Sequence, residues 1–330
     1  MTAPRVTPTD AVRIQDDLAK FWRSSRGPDF AQAWNEVRGR DGAPVFFPVP
    51  EERARAEVLT LKGARTYFVT EDMVALAEHA GATMPNEALL ETDVPTPSGF
   101  VVLEGGLLFP DVRGKNVVVS ALAWRRVMVA DAGGVNALPA LFWTFYSDTL
   151  DDRDEYGIDP DGTRSARRAW PTRYILLAED AEEFDVVMDE DAAVAHIAAH
   201  YVHSAGVDAV RLTLQVMHKF PRALFALLNS SVATVTTERA QRAARRQLER
   251  ANSPLTGDVV VIRLRRAHAE GTTPGESAVE WSRRWIVSGH WRKAWRPSVK
   301  AHRLVWIAPF VKGPEDKPLV IPRRVHVLER

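Results

Sequence analysis

The sequence has no cysteine among its 330 residues. This absence excludes disulfide bonds, thiolate zinc sites, iron–sulfur clusters and cysteine nucleophiles. The chain also lacks any apolar run of about eighteen residues, the length that a membrane-spanning helix needs, and residues 1–17 contain no apolar stretch of the signal-peptide kind. We therefore expect a soluble, cytoplasmic protein that does not bind a membrane.

The chain also lacks an excess of either charge, since 43 Lys and Arg balance 43 Asp and Glu. The charges are nevertheless separated along the chain. Residues 151–191 hold fourteen acids against five Arg, whereas residues 281–330 hold twelve Lys or Arg against three acids. Two interpretations are open: the two segments neutralise each other in the fold, or the acidic segment mimics nucleic acid or shields the basic segment.

The sequence contains enough apolar residues to form a large core, since 45% of its residues are hydrophobic. The order of the elements predicts an α+β fold with N-terminal helices, an antiparallel sheet, central helices and a C-terminal basic β module. The predicted segments are a mainly helical region 1–95, a β-rich region 96–185 with an acidic insertion, central helices in 186–256, and the basic module 257–330.

Several local patterns predict individual elements. Strands between Phe100 and Ala178 are predicted to form one antiparallel sheet, and Val207–Leu228 is predicted to be a helix with a kink at Pro221. A further helix is predicted over Thr237–Arg250, and the C-terminal module is predicted to contain strands at Val279–Trp291 and Arg324–Leu328.

The C-terminal module interleaves tryptophan with basic side chains. Five of the ten tryptophans lie within residues 281–330. Aromatic faces stack on bases while Arg and Lys contact phosphates, so this pattern favours single-stranded nucleic acid, RNA more than duplex DNA. The predicted nucleic-acid-binding residues are Arg284, His290, Trp291, Arg292, Lys293, Trp295, Arg296, His302, Arg303 and Lys312.

Two further interpretations concern the same region. Tryptophan is usually mostly buried, and Trp and Arg also stack in ordinary sheet packing, so some or all of these tryptophans could be core residues. The preceding predicted helix presents Arg239, Arg242, Arg246 and Arg250 along one side. This stripe is either a solvated helix face or one wall of a groove that it forms with the basic module.

A motif in this region resembles a known family. Its parts are Val287–Arg292, Trp295–Ser298, His302 with Arg303, Trp306–Pro309 and Lys312–Glu315. The motif resembles the C-terminal signature of proteins from actinobacteria and their phages and plasmids, some of which are similar to the AcrVA2-like family, that of the second type V-A anti-CRISPR protein. The resemblance implies an intracellular protein of a mobile element or its host that acts at the level of messenger RNA or translation, and it does not establish an enzyme.

Candidate chemistry comes from histidine. His196, His200 and His203 have the spacing that could present imidazoles to a metal from one helix face, but the supporting carboxylate of a typical helical zinc motif is missing, so we predict neither a metal nor another cofactor. His290 and His302 lie among arginines, the combination that a metal-independent ribonuclease uses for acid–base chemistry.

Three hypotheses follow. The first is a non-enzymatic protein that binds RNA through the C-terminal module and a protein target through the remainder. The second is a ribonuclease that uses His290 and His302. The third is a purely protein-binding or structural role, in which the tryptophans are buried.

Overall fold

The computed structural model describes residues 6–40, 45–112, 114–130, 137–151, 153, 172–200, 206–228, 230–250, 253–265, 284–297, 300–308, 310–312 and 319–320. Within these ranges, no helix has both the length and the apolarity needed to cross a membrane.

The helices fall into an N-terminal and a central group. They are α1 (Pro8–Arg23), α2 (Arg26–Arg40), α3 (Pro50–Gly63), α4 (Glu71–Ala82), α5 (Glu190–His200), α6 (Val207–Leu214), α7 (Phe220–Leu228) and α8 (Arg242–Arg250), with a 3-10 turn at Glu91–Asp93 and a π-helical turn at Gln215–Lys219 between α6 and α7.

The strands fall into a long central sheet and smaller C-terminal pairs. They are β1 (Arg65–Val69), β2 (Ser98–Pro110), β3 (Asn116–Ala130), β4 (Ala137–Asp148), β5 (Tyr174–Glu183), β6 (Ala233–Arg239), β7 (Asp258–Leu264), β8 (Arg284–Val287), β9 (His290–Arg296), β10 (Ala301–Ile307), β11 (Phe310–Lys312) and β12 (Leu319–Val320).

The central sheet is mixed and has seven strands in the order β5-β4-β3-β2-β1-β7-β6. The prediction of antiparallel pairing is confirmed for β2 to β5, and the α+β class with N-terminal helices is also confirmed. The sheet also extends beyond the predicted antiparallel strands, because β1 pairs in parallel with both β2 and β7. The connection from β1 to β2 contains α4, as a parallel pair requires a crossover.

The sheet is buried on both faces. On the first face, α1 and α3 pack on Phe68, Phe100 and other inward side chains, and Trp22 of α1 is 1% exposed. On the second face, α4, α7 and the β9–β10 hairpin cover Val101, Trp124 and their neighbours. The helix α1 begins at Pro8, where the amide of Thr7 donates a hydrogen bond to Asp10 at 3.0 Å and so closes half of a capping box.

Three local predictions need correction or refinement. The helix predicted over Thr237–Arg250 begins only at Arg242, because Ala233–Arg239 is a strand that pairs with β7 along its whole length. The strand predicted over Val279–Trp291 is interrupted at Ser288 and Gly289, and its two parts, β8 and β9, join different sheets.

The helix predicted over Val207–Leu228 is present, and its irregularity at Gln215–Lys219 lies just before Pro221, whose missing N–H removes an α-helical hydrogen bond. The strand predicted at Arg324–Leu328 lies outside the described residues.

The strand β7 is the second strand from one edge of the central sheet, between β1 and β6, although the division of the sequence places it in segment 257–330. The sheet therefore takes its strands from all four predicted segments. The division of the chain into these four regions stays a prediction.

Candidate nucleic-acid interface

The β9–β10 hairpin is anchored to the second face of the sheet by two tryptophans. Trp291 and Trp306 lie opposite each other in the hairpin register, with ring centroids 5.3 Å apart. Trp306 is 2% exposed, and the indole N–H of Trp291 donates a hydrogen bond to the carbonyl oxygen of Ala80 at 2.8 Å. These two side chains therefore serve the packing of the hairpin, as the core interpretation of the tryptophans expects.

The other end of the hairpin carries an exposed aromatic pair. Trp295 is 55% exposed and lies directly opposite His302, with ring centroids 5.3 Å apart and the planes at 63°. Trp295 lies four residues after Trp291 and on the same side of the ribbon as the buried Trp291–Trp306 pair. The hairpin is thus long enough to bury one aromatic pair and project the next one beyond the body of the protein.

Three cations lie near this exposed pair along the hairpin. Arg292 and Lys300 are exposed, and Arg296 is half-buried. Lys300 occupies the turn between the strands with a φ of 48°, in the left-handed region. Strand alternation places Arg292 and Arg296 on the side of the ribbon opposite Trp295. A single strand that passes over the ribbon edge can therefore meet an aromatic face on one side and guanidinium groups on the other.

Two other predicted cations are held by acids of the loop after α4. The ammonium of Lys293 lies 2.6 Å from Glu87, and Nε of Arg303 lies 3.7 Å from Asp93. Burial raises the pKa of Asp93, against the opposing effects of the Leu90 backbone N–H and Arg303. These ion pairs orient the hairpin. Because they neutralise Lys293 and Arg303, the net positive charge of the hairpin lies at its Trp295 end. The acids lie about 200 residues earlier in the chain, so no sequence pattern indicates them.

The two histidines proposed for catalysis are not brought together. His290 pairs with Ile307, whereas His302 pairs with Trp295, five positions along the same strand. That separation corresponds to roughly 17 Å, and the odd number of steps places the side chains on opposite sides of the ribbon. The geometry does not support a shared acid–base pair.

The remaining predicted site residues lie elsewhere. Arg284 belongs to β8 and Lys312 to β11, which pair in a separate sheet. His196 is exposed on α5, His200 is the last residue of that helix, and His203 lies outside the described residues. Within the described part of the chain, no group of three or more potential ligands is placed to hold a metal ion.

The arginine stripe does not form a groove with the hairpin. Leu248 of α8 packs in the cluster on the first face of the sheet, whereas Trp306 of the hairpin packs in the cluster on the second face. Arg242, Arg246 and Arg250 are exposed on α8. The two basic surfaces therefore lie on opposite sides of the sheet.

Several described acids of the segment 151–191 pair with residues of the central helices and of the turn between α6 and α7. On the second face, Asp180 and Glu182 lie 3.2 and 3.4 Å from the two ring nitrogens of His218. Burial lowers the pKa of His218, but the hydrogen bonds to these two carboxylates outweigh it and raise the pKa to about 10. Glu190 pairs with Lys219 and Asp191 with Arg211, each at 2.8 Å. These acids are therefore used to fix the central helices.

The chain is similar to a solved structure, the crystal structure of AcrVA2. The similarity covers 90% of this chain and 96% of that chain, with 10% sequence identity and a TM-score of 0.38. No protein-family model and no curated protein sequence matches the chain.

Proposed function

We propose that the protein binds single-stranded RNA through the exposed end of the β9–β10 hairpin, formed by Arg292, Trp295, Arg296, Lys300 and His302. The observation that carries this proposal is the 55% exposure of Trp295 in a setting of cations. An exposed tryptophan offers a ring face on which a base can stack, and nearby cations favour an anionic partner.

A single strand fits this surface better than a duplex does. Stacking on Trp295 requires a base whose face is free, and the bases of a duplex are already stacked on each other. The contribution of such a stack is about 1–3 kcal/mol per base and depends little on sequence. Arg292, Arg296 and Lys300 would contact the phosphates on either side, so affinity should fall as salt rises.

The resemblance of the C-terminal signature to the AcrVA2-like family supports a more specific form of this proposal. In that form, the RNA is a messenger, and the protein serves a mobile element or its host against a defence system. The stacking surface is consistent with this role because it does not require a particular sequence in the strand.

Fluorescence anisotropy with a labelled single-stranded RNA of about 16 nucleotides, at about 50 and 200 mM salt, tests the proposal. Trp295→Ala should weaken binding by about 5- to 150-fold, which is one lost stack. The double variant Arg292→Ala with Arg296→Ala should also weaken binding and lower the slope of log affinity against log salt by about 1.4.

The matched control is Arg23→Ala with Arg55→Ala, which removes two exposed arginines from the helices on the opposite face of the sheet. We expect the control to bind RNA nearly as the wild type does. Equal losses in the control and the hairpin variants, or unchanged binding in all of them, would contradict the assignment. Intact RNA on a gel after incubation, with and without divalent metal, would also refute the ribonuclease hypothesis.

A further inference from the structure

The two edge strands of the central sheet differ in exposure. The edge strand β5 carries four acids, and none of its residues is exposed. The edge strand β6 has four exposed residues, and three of them, Val235, Thr236 and Thr237, are consecutive and uncharged. Burial and charge are two of the features that keep an edge strand from pairing with another chain. The middle of β6 has neither.

Alternate residues of β6 direct their backbone groups away from the sheet. At the end of the β6–β7 ladder, the amide of Ala240 donates a hydrogen bond to the carbonyl oxygen of Gly257 at 2.7 Å. Bonded positions alternate along an antiparallel pair, so the even-numbered residues of β6 are those that bond to β7. The N–H and C=O groups of Val235 and Thr237 therefore point outwards. Within the described residues, no strand follows β6 on that side.

The side chains along this edge favour strand pairing. Val235 is 50% exposed and pairs with Ile262, a residue of the cluster on the second face of the sheet. Valine and threonine are common in strands because they pack well on a pleated surface. The ladder between β6 and β7 has no bulge, and β6 contains no proline, so two other common means of blocking an edge are also missing.

The sequence of β6 is suited to a second copy of the same strand. We consider two antiparallel β6 strands related by a two-fold axis at Thr236. Val235 then lies opposite Thr237 of the second copy, and Glu238 lies opposite Thr234, so like charges are not opposite each other. This register pairs β6 along its whole length. An axis at Glu238 would instead place that carboxylate opposite its own copy, which is unfavourable.

The antiparallel arrangement also separates the basic ends of the two strands. Arg239 ends β6, and the arginine-rich helix α8 begins at Arg242. With the axis at Thr236, Arg239 of each copy lies about 20 Å from its counterpart. This distance exceeds the Debye length of about 8 Å at physiological salt, so repulsion between the two arginines is largely screened. A parallel pair in register would place the same arginines side by side.

We propose that two copies of the protein associate through their β6 strands and join their seven-stranded sheets into one continuous sheet. Val235 of each copy exchanges backbone hydrogen bonds with Thr237 of the other, and Thr236 lies opposite itself at the two-fold axis. The two Val235 side chains become diagonal neighbours on the second face, where they share one apolar patch. Because the interface is made by the same strand in both copies, it closes at two and leaves β6 without a free edge.

Sedimentation velocity of the whole protein at roughly 1–100 µM measures this association, and we expect a monomer–dimer equilibrium. Val235→Pro removes one outward N–H from each copy and leaves the hydrogen bonds to β7 in place. The two lost hydrogen bonds should weaken dimerisation by about 5- to 150-fold. The matched control is Val235→Thr, which keeps the N–H and a residue that favours strands, so its dimerisation should be close to that of the wild type.

Charged substitutions at Thr236 test the position of the axis and leave the backbone donors unchanged. Thr236→Lys alone and Thr236→Glu alone each place like charges opposite each other and should be monomeric. An equimolar mixture of the two variants places opposite charges at the axis and should recover the dimer. Recovery in the mixture also shows that both variants fold, since an unfolded variant could not supply its strand.

The absence of cysteine permits a direct test of the same contact. The Cα atoms of a non-hydrogen-bonded antiparallel pair lie about 4.5 Å apart, which is within the range of a disulfide. Thr236→Cys should therefore form a disulfide-linked dimer on mild oxidation. The matched control is Ser231→Cys, also at an exposed position, whose counterpart in the second copy lies about 34 Å away and should not cross-link.

Three results would overturn the proposal. The first is a monomer over the whole concentration range. The second is a mixture of Thr236→Lys and Thr236→Glu that stays monomeric. The third is a dimer or larger assembly that persists in each of these variants alone, since its interface would then lie elsewhere.

This inference does not depend on RNA binding, because β6 and the β9–β10 hairpin share no residue. Trp295→Ala should leave dimerisation unchanged, and Val235→Pro should leave the affinity for a short RNA unchanged. Each proposal can therefore fail without the other.

Discussion

Replacement of Arg53 by methionine should destabilise the protein strongly although it preserves most of the side-chain volume. Arg53 is 2% exposed, and it pairs with two carboxylates that are equally buried, Glu57 and Glu179. Its guanidinium also lies 5.5 Å from the ring centre of Trp22. Removal of one partner from a buried ion pair leaves the other charge uncompensated, which costs about 3–5 kcal/mol. We expect the free energy of unfolding of Arg53→Met to fall by that amount.

Urea unfolding followed by tryptophan fluorescence measures this loss. The matched control is Arg55→Met, which makes the same chemical change at an exposed position two residues later in α3. The control should lie within about 0.5 kcal/mol of the wild type. A second variant, Arg53→Met with Glu179→Gln, removes one of the two carboxylates left without Arg53. It should recover part of the lost unfolding free energy.

The second variant separates lost charge pairing from lost packing. If the charges cause the loss, the variant that also carries Glu179→Gln should be more stable than Arg53→Met alone. Equal losses in the two variants would indicate a packing defect. A loss of less than about 1 kcal/mol at neutral pH would refute the view that these charges are desolvated and depend on Arg53.

Three further predictions concern other parts of the fold. Because the pKa of His218 is raised to about 10, its protonated form stabilises the native state below its unfolded pKa of about 6.5, and this stabilisation is lost towards pH 10. The difference in unfolding free energy between the wild type and His218→Gln should therefore be largest below about pH 6.5 and shrink at alkaline pH; a difference that is independent of pH would contradict it. Gly99→Ala should destabilise by about 1–3 kcal/mol in urea unfolding, since a Cβ there would lie 2.1 Å from the ring of Trp124, whereas Gly39→Ala, with nothing within 4 Å, should be neutral or stabilising. Trp306→Ala should cost about 3–5 kcal/mol by the same assay because the side chain is fully buried, and a small loss would show that the hairpin is not anchored as described.

The charge separation along the sequence shows what local patterns leave open. Residues 151–191 and 281–330 carry local charges of opposite sign, and mutual neutralisation is the simple interpretation. In the structure, Lys293 pairs with Glu87, while Asp180 pairs with His218. Two segments of opposite charge need not contact each other in the folded protein. The chain topology decides which surfaces lie close together.

The sequence by itself determined the features that depend on local chemistry. Thr7, Pro8 and Asp10 set the start of α1, Pro221 predicted the irregularity of the central helix, and the alternation of the β-rich region predicted the antiparallel strands β2 to β5. These features follow from hydrogen bonding and steric preferences within a few residues, so they can be read without knowledge of distant partners.

Only the tertiary structure decided which tryptophans are exposed and where unpaired charge remains. Trp295 and Trp306 look alike in the sequence, yet one is 55% exposed and the other 2%, because only one end of the hairpin meets α4 and α7. The strand β7 joins the central sheet by pairing with β1, which lies about 190 residues earlier in the chain. Arg125 lies beside an apolar groove because the sheet extends beyond the helices that cover it. Burial and pairing are properties of contacts between distant parts of the chain, and no local pattern encodes them.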